Sequence, residues 1–181
     1  MRDFMMNEMT LIAKPFTDKF IDPENKEVKD NLDEITLTET SHPTVITMGI
    51  TVEFKNIYDA GVIIIQTDCD HWAKLCFEYS TEYQPTVVSV VNKGVSDDCN
   101  SVPIESTQCF FRVALLTESI AFYYSTNNEK WNMVRYFSLQ NGESIKTVSI
   151  AAQSPQGDGC RAFFQSIEIE EREIKNVRDC T

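Results

Sequence analysis

Glycine, histidine and closely spaced cysteine are scarce in this chain, and each scarcity removes a class of chemistry. Six glycines occur in 181 residues, too few and too scattered to write a glycine-rich phosphate loop. His42 and His71 are the only histidines, so a serine or cysteine nucleophile has few bases to draw on. Cys69, Cys76, Cys99, Cys109, Cys160 and Cys180 form no Cys-x-x-Cys, and the paired spacing of a structural zinc site is missing. No apolar run approaches a membrane-spanning helix; residues 62–65 are typical, and strand-sized. Residues 1–15 interleave Arg2, Asp3, Glu8 and Lys14 with short apolar pieces, unlike a secretory leader. The expectation is a cytoplasmic protein with free, mostly buried thiols, no cofactor and no membrane partner.

Positive charge is also in short supply. Lys and Arg total 16 against 28 Asp and Glu, for a net charge of −12. Nucleic acid and anionic membranes would be repelled, which leaves neutral ligands, cations and basic proteins. The composition, 42% hydrophobic and 24% charged, is that of a globular protein. A chain of this length is expected to form one domain over 1–181, burying roughly 70% of its unfolded surface without staples.

What is abundant is alternation. In 71–80, His71, Ala73, Leu75, Phe77 and Tyr79 occupy one parity and Trp72, Lys74, Cys76, Glu78 and Ser80 the other. Side chains of a strand point to opposite faces in turn, so this segment has an apolar face and a mixed one. The same pattern predicts strands at 44–54, 60–67, 87–92, 109–116, 120–125, 131–138, 145–153 and 160–170. Turn residues separate them at 56–59, 68–70, 92–94, 96–100, 127–128, 141–142 and 155–159. Residues 123–131 read as a hairpin. Residues 15–40 are irregular and predict a loop with an edge strand or two, and 30–34 a single helical turn. Many short strands between regular turns predict an all-β antiparallel sandwich or barrel.

The order of motifs is similar to one known family. Tyr58-Asp59-Ala60-Gly61-Val62 is followed by Asp70-His71-Trp72-Ala73-Lys74-Leu75-Cys76-Phe77-Glu78. Ser89-Val90-Val91-Asn92-Lys93-Gly94-Val95-Ser96-Asp97 comes next, then the hairpin ending in Trp131 with Arg135, then Ala151-Ala152-Gln153-Ser154-Pro155. Over about residues 16–170 the chain resembles the DUF1349 family, sometimes labelled "regulation of enolase protein" after a fungal member. It departs from the family pattern in lacking a Trp after Ser96-Asp97 and in carrying Asn127-Asn128 where the family has Asp-Gly. The resemblance implies a two-sheet, concanavalin A-like jelly roll, the fold of many lectins and glucanases.

Trp72, Lys74 and Glu78 project to one side of their strand, about 7 Å between i+2 neighbours. An aromatic platform beside charged groups suits a polyhydroxylated ligand, so a carbohydrate or small polyol is the first candidate partner. Arg112 and Arg135 join this candidate ligand-binding set if their strands neighbour it on a concave sheet. The competing reading is an ion-pair network over a solvated face, with Trp72 packed on a loop. The first functional expectation is therefore a non-catalytic binding module. The alternative is an intracellular regulatory protein whose acidic surface docks on a metabolic enzyme, a protein partner. A glycoside hydrolase ranks third: Glu168 and Glu170 share a strand face near the roughly 5 Å spacing of a retaining pair, but alternate with Ile as a solvated strand does. Calcium stays open at Asp68 and Asp70 and at Asp97, Asp98 and Asn100, where Asx turns explain the same residues without a metal.

Overall fold

The computed structural model describes residues 4–139 and 145–181. Its elements are β1 (Phe4–Ile12), β2 (Lys19–Ile21), β3 (Val28–Asp30), β4 (Ile35–Thr40), β5 (Thr44–Glu53), β6 (Ala60–Gln66) and β7 (His71–Tyr79). They continue with β8 (Pro85–Lys93), β9 (Ser96–Pro103), β10 (Gln108–Leu115), β11 (Ile120–Ser125), β12 (Asn132–Phe137), β13 (Lys146–Gln153) and β14 (Arg161–Glu171). The described residues contain no helix. The first sheet has the order β1-β14-β5-β10-β11-β12 and the second β4-β13-β6-β7-β8-β9, with all pairings antiparallel. This is the expected all-β, two-sheet jelly-roll sandwich.

The inner faces follow the alternation. Ile46, Met48, Ile50 and Val52 of β5 and Phe111, Val113 and Leu115 of β10 meet Ile63 and Ile65 of β6 and Ala73, Leu75 and Phe77 of β7 in one buried cluster. In β14 the phase changes midway. Ala162 and Phe164 face the core before a register shift between Gln165 and Glu168, and Ile167 and Ile169 face it afterwards. Ser166, with φ of 49°, is the residue at which the strand bulges.

Both outer faces are covered as well. The N-terminal residues 13–34, including the small β2–β3 hairpin, lie over the second sheet, where Leu32 packs on Ala60, Val62, Ile64, Cys76, Val88 and Ala151. On the first sheet, Ile174, Val177 and Cys180 of the C-terminal tail pack on Val45, Ala114, Ala121 and Tyr123. The Tyr123 hydroxyl donates to the Val177 carbonyl and pins the tail.

Several expectations change. Residues 31–34 are extended loop rather than a helical turn. The run 96–100 is not a turn but most of β9, the last strand of its sheet. An edge strand has no second neighbour to satisfy, and charges such as Asp97 and Asp98 discourage further pairing. The N-terminus adds β1, which the pattern did not predict. The 141–142 turn lies outside the described residues. All six cysteines are free, as expected, with Cys69 and Cys99 exposed and the other four buried.

Gly61 lies where the two sheets meet closely. A Cβ there would stand 2.8 Å from Ile50 Cγ2 and 3.1 Å from Ala162 Cβ, both on the opposite sheet. Gly61→Ala is therefore expected to destabilise the fold by about 1–3 kcal/mol through overpacking. Urea denaturation followed by tryptophan fluorescence checks this; an unchanged midpoint would show that the sheets have slack at this point.

Candidate functional site

The even parity of β7 carries Trp72, Lys74, Cys76 and Glu78 onto the outer face of the second sheet, beneath the N-terminal segment. The strand register places Lys74 between Ile64 and Val90, and Asp98 of β9 beyond Val90 in the same row. Four residues along, Glu78 lies beside Ala60, and Gln153 lies on the far side of Ala60. Only a small residue at 60 lets the two longer side chains reach each other over it.

Lys74 is buried among apolar neighbours at 2% exposure, and a charge there requires partners. Its Nζ donates to Asp18 Oδ1 at 2.8 Å and to Gln153 Oε1 at 2.9 Å. Gln153 Nε2 donates in turn to Glu78 Oε2 at 3.3 Å and to the Tyr58 carbonyl at 3.2 Å. Burial is the largest single influence and disfavours the Lys74 ammonium, but Asp18, Cys76 and Glu78 together outweigh it and hold the pKa above the ordinary lysine value. For Glu78 the balance is opposite. Burial, opposed by Lys74 and reinforced by Asp98 and Asp18, pushes its carboxyl up to about 8. At neutral pH Glu78 carries its proton, and one matched ion pair, Lys74 with Asp18, forms the charged part of the floor. Asp98 at the rim is also raised, chiefly by burial.

The N-terminal segment is tied down at several points. The Ile21 amide donates to Ser96 Oγ (2.9 Å), and the Ser154 amide to the Thr17 carbonyl (3.2 Å). Lys19, itself buried, pairs with Asp30 at 2.8 Å and Glu34 at 3.2 Å, and its Nζ stands 5.6 Å from the Trp72 ring centroid. The segment does not close the whole face. A cavity of about 320 Å³ remains, floored by Lys74, Glu78 and Gln153 and walled by Phe20, Tyr58, Asp98 and Asn100. That lies at the lower end of the range typical of small-ligand sites, about 300–1,000 Å³.

The structure thus brings together two of the five predicted ligand residues, Lys74 and Glu78. Trp72 shares their face but is 2% exposed under Lys19, and does not line the cavity. Arg112 and Arg135 belong to the first sheet and do not converge with them. Arg112 lies on that sheet's outer face, 4.0 Å from the Trp131 ring centroid, with its Nε bonded to Thr47. Arg135 reaches from β12 to Asp97 of β9 at 2.8 Å, joining the last strands of the two sheets. Asp18, Phe20, Tyr58 and Gln153 were not predicted as site residues, and Asp98 and Asn100 were singled out only as candidate calcium ligands. Of the four unpredicted residues, Tyr58 and Gln153 carried a signal, as members of the family motifs.

Other candidates have structural partners. Asp68 Oδ1 accepts from the Asp70 and His71 amides, and its carboxylate holds His71 Nδ1 at 2.9 Å. Glu168 is exposed, and Glu170 pairs with Arg172 at 3.0 Å. Among the described residues, no group of three or more His, Cys, Asp or Glu is arranged to hold a metal. No helix among the described residues is long and apolar enough to cross a membrane. The motif residue Asp59 is wholly buried: its carboxylate accepts from the Lys55 and Asn56 amides and from Ser154 Oγ at 2.6 Å, shaping the loop that presents Tyr58.

The family model for proteins of unknown function DUF1349 matches residues 4–172. The chain belongs to the DUF1349 family. No curated protein matches it in sequence. Among solved structures it is similar to a functionally unknown protein from Saccharomyces cerevisiae, with a TM-score of 0.83 and 19% identity over 95% of this chain and 92% of that one. It is also similar to a xylan β-1,4-xylosidase from Bacillus halodurans, with a TM-score of 0.71 and 13% identity; 90% of this chain matches 33% of the enzyme. The carbohydrate-binding module CBM66 from Bacillus subtilis matches with a TM-score of 0.54 and 12% identity, over 92% of this chain and 96% of the module. At these identities the likeness is one of fold.

The state of Glu78 sets a pH dependence. Its folded pKa of about 8 lies above the ordinary 4.5, so the folded protein holds a proton that the unfolded chain releases. That contribution is fully present below pH 4.5 and is lost as pH rises to about 8. Glu78→Gln keeps a neutral group of the same shape. Its melting temperature is expected to exceed that of the natural protein by several degrees at pH 8 and to converge with it near pH 4.5. Parallel thermal melts across this range check it; curves with a constant offset would place the carboxyl at its ordinary value.

Proposed function

We propose that this DUF1349 chain is a binding module for a small neutral polyol, a sugar unit in the first instance, held in the cavity between the second sheet and the N-terminal segment. The observation that carries this reading is the buried Lys74–Gln153–Glu78 relay opening beneath Phe20 and Tyr58. A sugar presents hydroxyls that both donate and accept, and a C–H face that packs on rings. Lys74 and protonated Glu78 supply donors, the Asn100 amide supplies both functions, and Gln153, whose two N–H donors are spent on Tyr58 and Glu78, keeps a carbonyl lone pair as acceptor. Asp18 balances the Lys74 charge, so the floor favours a neutral guest over a phosphate or carboxylate. Trp72 then acts as a support for Lys19 and the covering segment. The carbohydrate-binding module of the same fold and similar extent supports the reading by analogy.

The test is a titration of mono- and oligosaccharides at pH 7, followed by amide chemical shifts. Binding is expected to move resonances around Lys74, Glu78 and Gln153. Phe20→Ala and Asn100→Ala at the walls should each weaken it about tenfold while the melting temperature holds. A panel in which no sugar perturbs these residues, or binding indifferent to both substitutions, contradicts the assignment.

A further inference from the structure

A second cavity, of about 780 Å³, lies away from the Lys74 site, at an end of the sandwich where β5 finishes and the β7–β8 turn meets the β9–β10 connection. Its walls include Phe54, Tyr79, Tyr83 and Phe163, and two carboxylates, Glu53 and Glu105. Phe54 stacks on Tyr79 at 5.3 Å and 18°, and Tyr79 meets Tyr83 edge-on at 6.3 Å and 76°, so the three rings form a corner. Tyr83 is 73% exposed, which leaves its ring open to a ligand. It is held out by a tight turn in which its amide donates to the Ser80 carbonyl and the Ser80 amide to the Gln84 carbonyl, with Tyr83 at a φ of 58°. A bulky residue at positive φ is uncommon.

The charge on this corner is one-sided. Among the described residues, no lysine or arginine lines the cavity. Arg161 lies opposite Glu53 across the β5–β14 pair, yet among the described residues neither Glu53 nor Glu105 has an ion-pair partner. Ring faces attract cations through their quadrupoles, and a planar guanidinium stacks on a ring while pairing with a carboxylate.

We propose that this corner is a binding site for an organic cation of the guanidinium or ammonium kind. The cation rests against Tyr83 and Tyr79, and Glu53 and Glu105 supply the counter-charge. Its selectivity is the reverse of that of the Lys74 cavity, whose floor already contains a matched ion pair. The site therefore stands or falls independently of the sugar reading.

Amide chemical shifts are followed during addition of L-arginine, tetramethylammonium chloride and an extended peptide carrying two arginines, with L-citrulline as the neutral isostere. Arginine is expected to move the resonances of residues 79–84 and 104–107, and citrulline to leave them in place. Tyr83→Ala and Glu105→Gln, both at exposed positions, should each weaken the effect about three- to fivefold with the melting temperature unchanged. Tighter binding of the peptide than of arginine would assign the cation to a partner's side chains; equal affinity would assign it to a free small molecule. Equal responses to arginine and citrulline, no response to any cation, or a response that survives Tyr83→Ala would overturn the proposal.

Discussion

A lysine ammonium enclosed by a sheet face is the constraint around which this structure is arranged. Lys74 sits between Ile64 and Val90, where an unpaired charge would be strongly unfavourable. Its counter-ion comes from 56 residues upstream, and Asp18 can reach it only if the N-terminal segment lies across the sheet. Pairing therefore does more than offset a charge. It fixes where residues 13–34 run, and their path leaves the cavity open beside them. A buried pair of this kind is weak evidence of added stability, since an apolar pair of similar volume often serves as well. What it confers here is position: one register of the segment satisfies Asp18, Lys19 and the Ser96 hydroxyl together.

Covering both outer faces changes how a jelly roll can present a site. A bare sheet would offer Trp72 as a platform on one side and Trp131 with Arg112 on the other. In this chain Lys19 sits over the first tryptophan, Arg112 lies over the second, and the C-terminal tail packs on the same cluster as Trp131. What stays open over the second sheet is the gap between cover and sheet, a cavity lined by polar side chains from distant parts of the chain. The family motifs are seen to be mostly architectural. Asp59 and Ser154 shape a loop, Gly61 lets the sheets meet, and Asn92 with Ser96 anchors the N-terminal segment.

The legibility of the sequence followed the range of the interactions. Alternation is local, so the face shared by Trp72, Lys74, Cys76 and Glu78 could be read directly, as could the strands of the core. The irregular edge was harder: 96–100 carries turn-forming residues, and β9 forms because β8 offers it a full row of partners. The bulge at Ser166 reverses the phase of β14 without any glycine or proline to mark it. The site itself depended on contacts of long range. Nothing near Asp18 announces a lysine 56 residues away, and Gln153 meets Lys74 over a separation of 79. The arginines were misplaced for the same reason, because parity along a strand does not tell which sheet the strand joins.

The central claim, that the Lys74–Asp18 pair holds the N-terminal segment on the sheet and so forms the cavity, is tested most directly by hydrogen exchange in Lys74→Met. Methionine fills the space without demanding a counter-ion. The account predicts that amides of the covering segment, such as Ile21 and Asn31, exchange about a hundredfold faster while those of β6, β7 and β8 keep their protection. Unchanged protection across residues 18–31 would contradict it, and would mean that the Ser96 and Thr17 hydrogen bonds, the Lys19 contacts and Leu32 packing hold the segment without the pair.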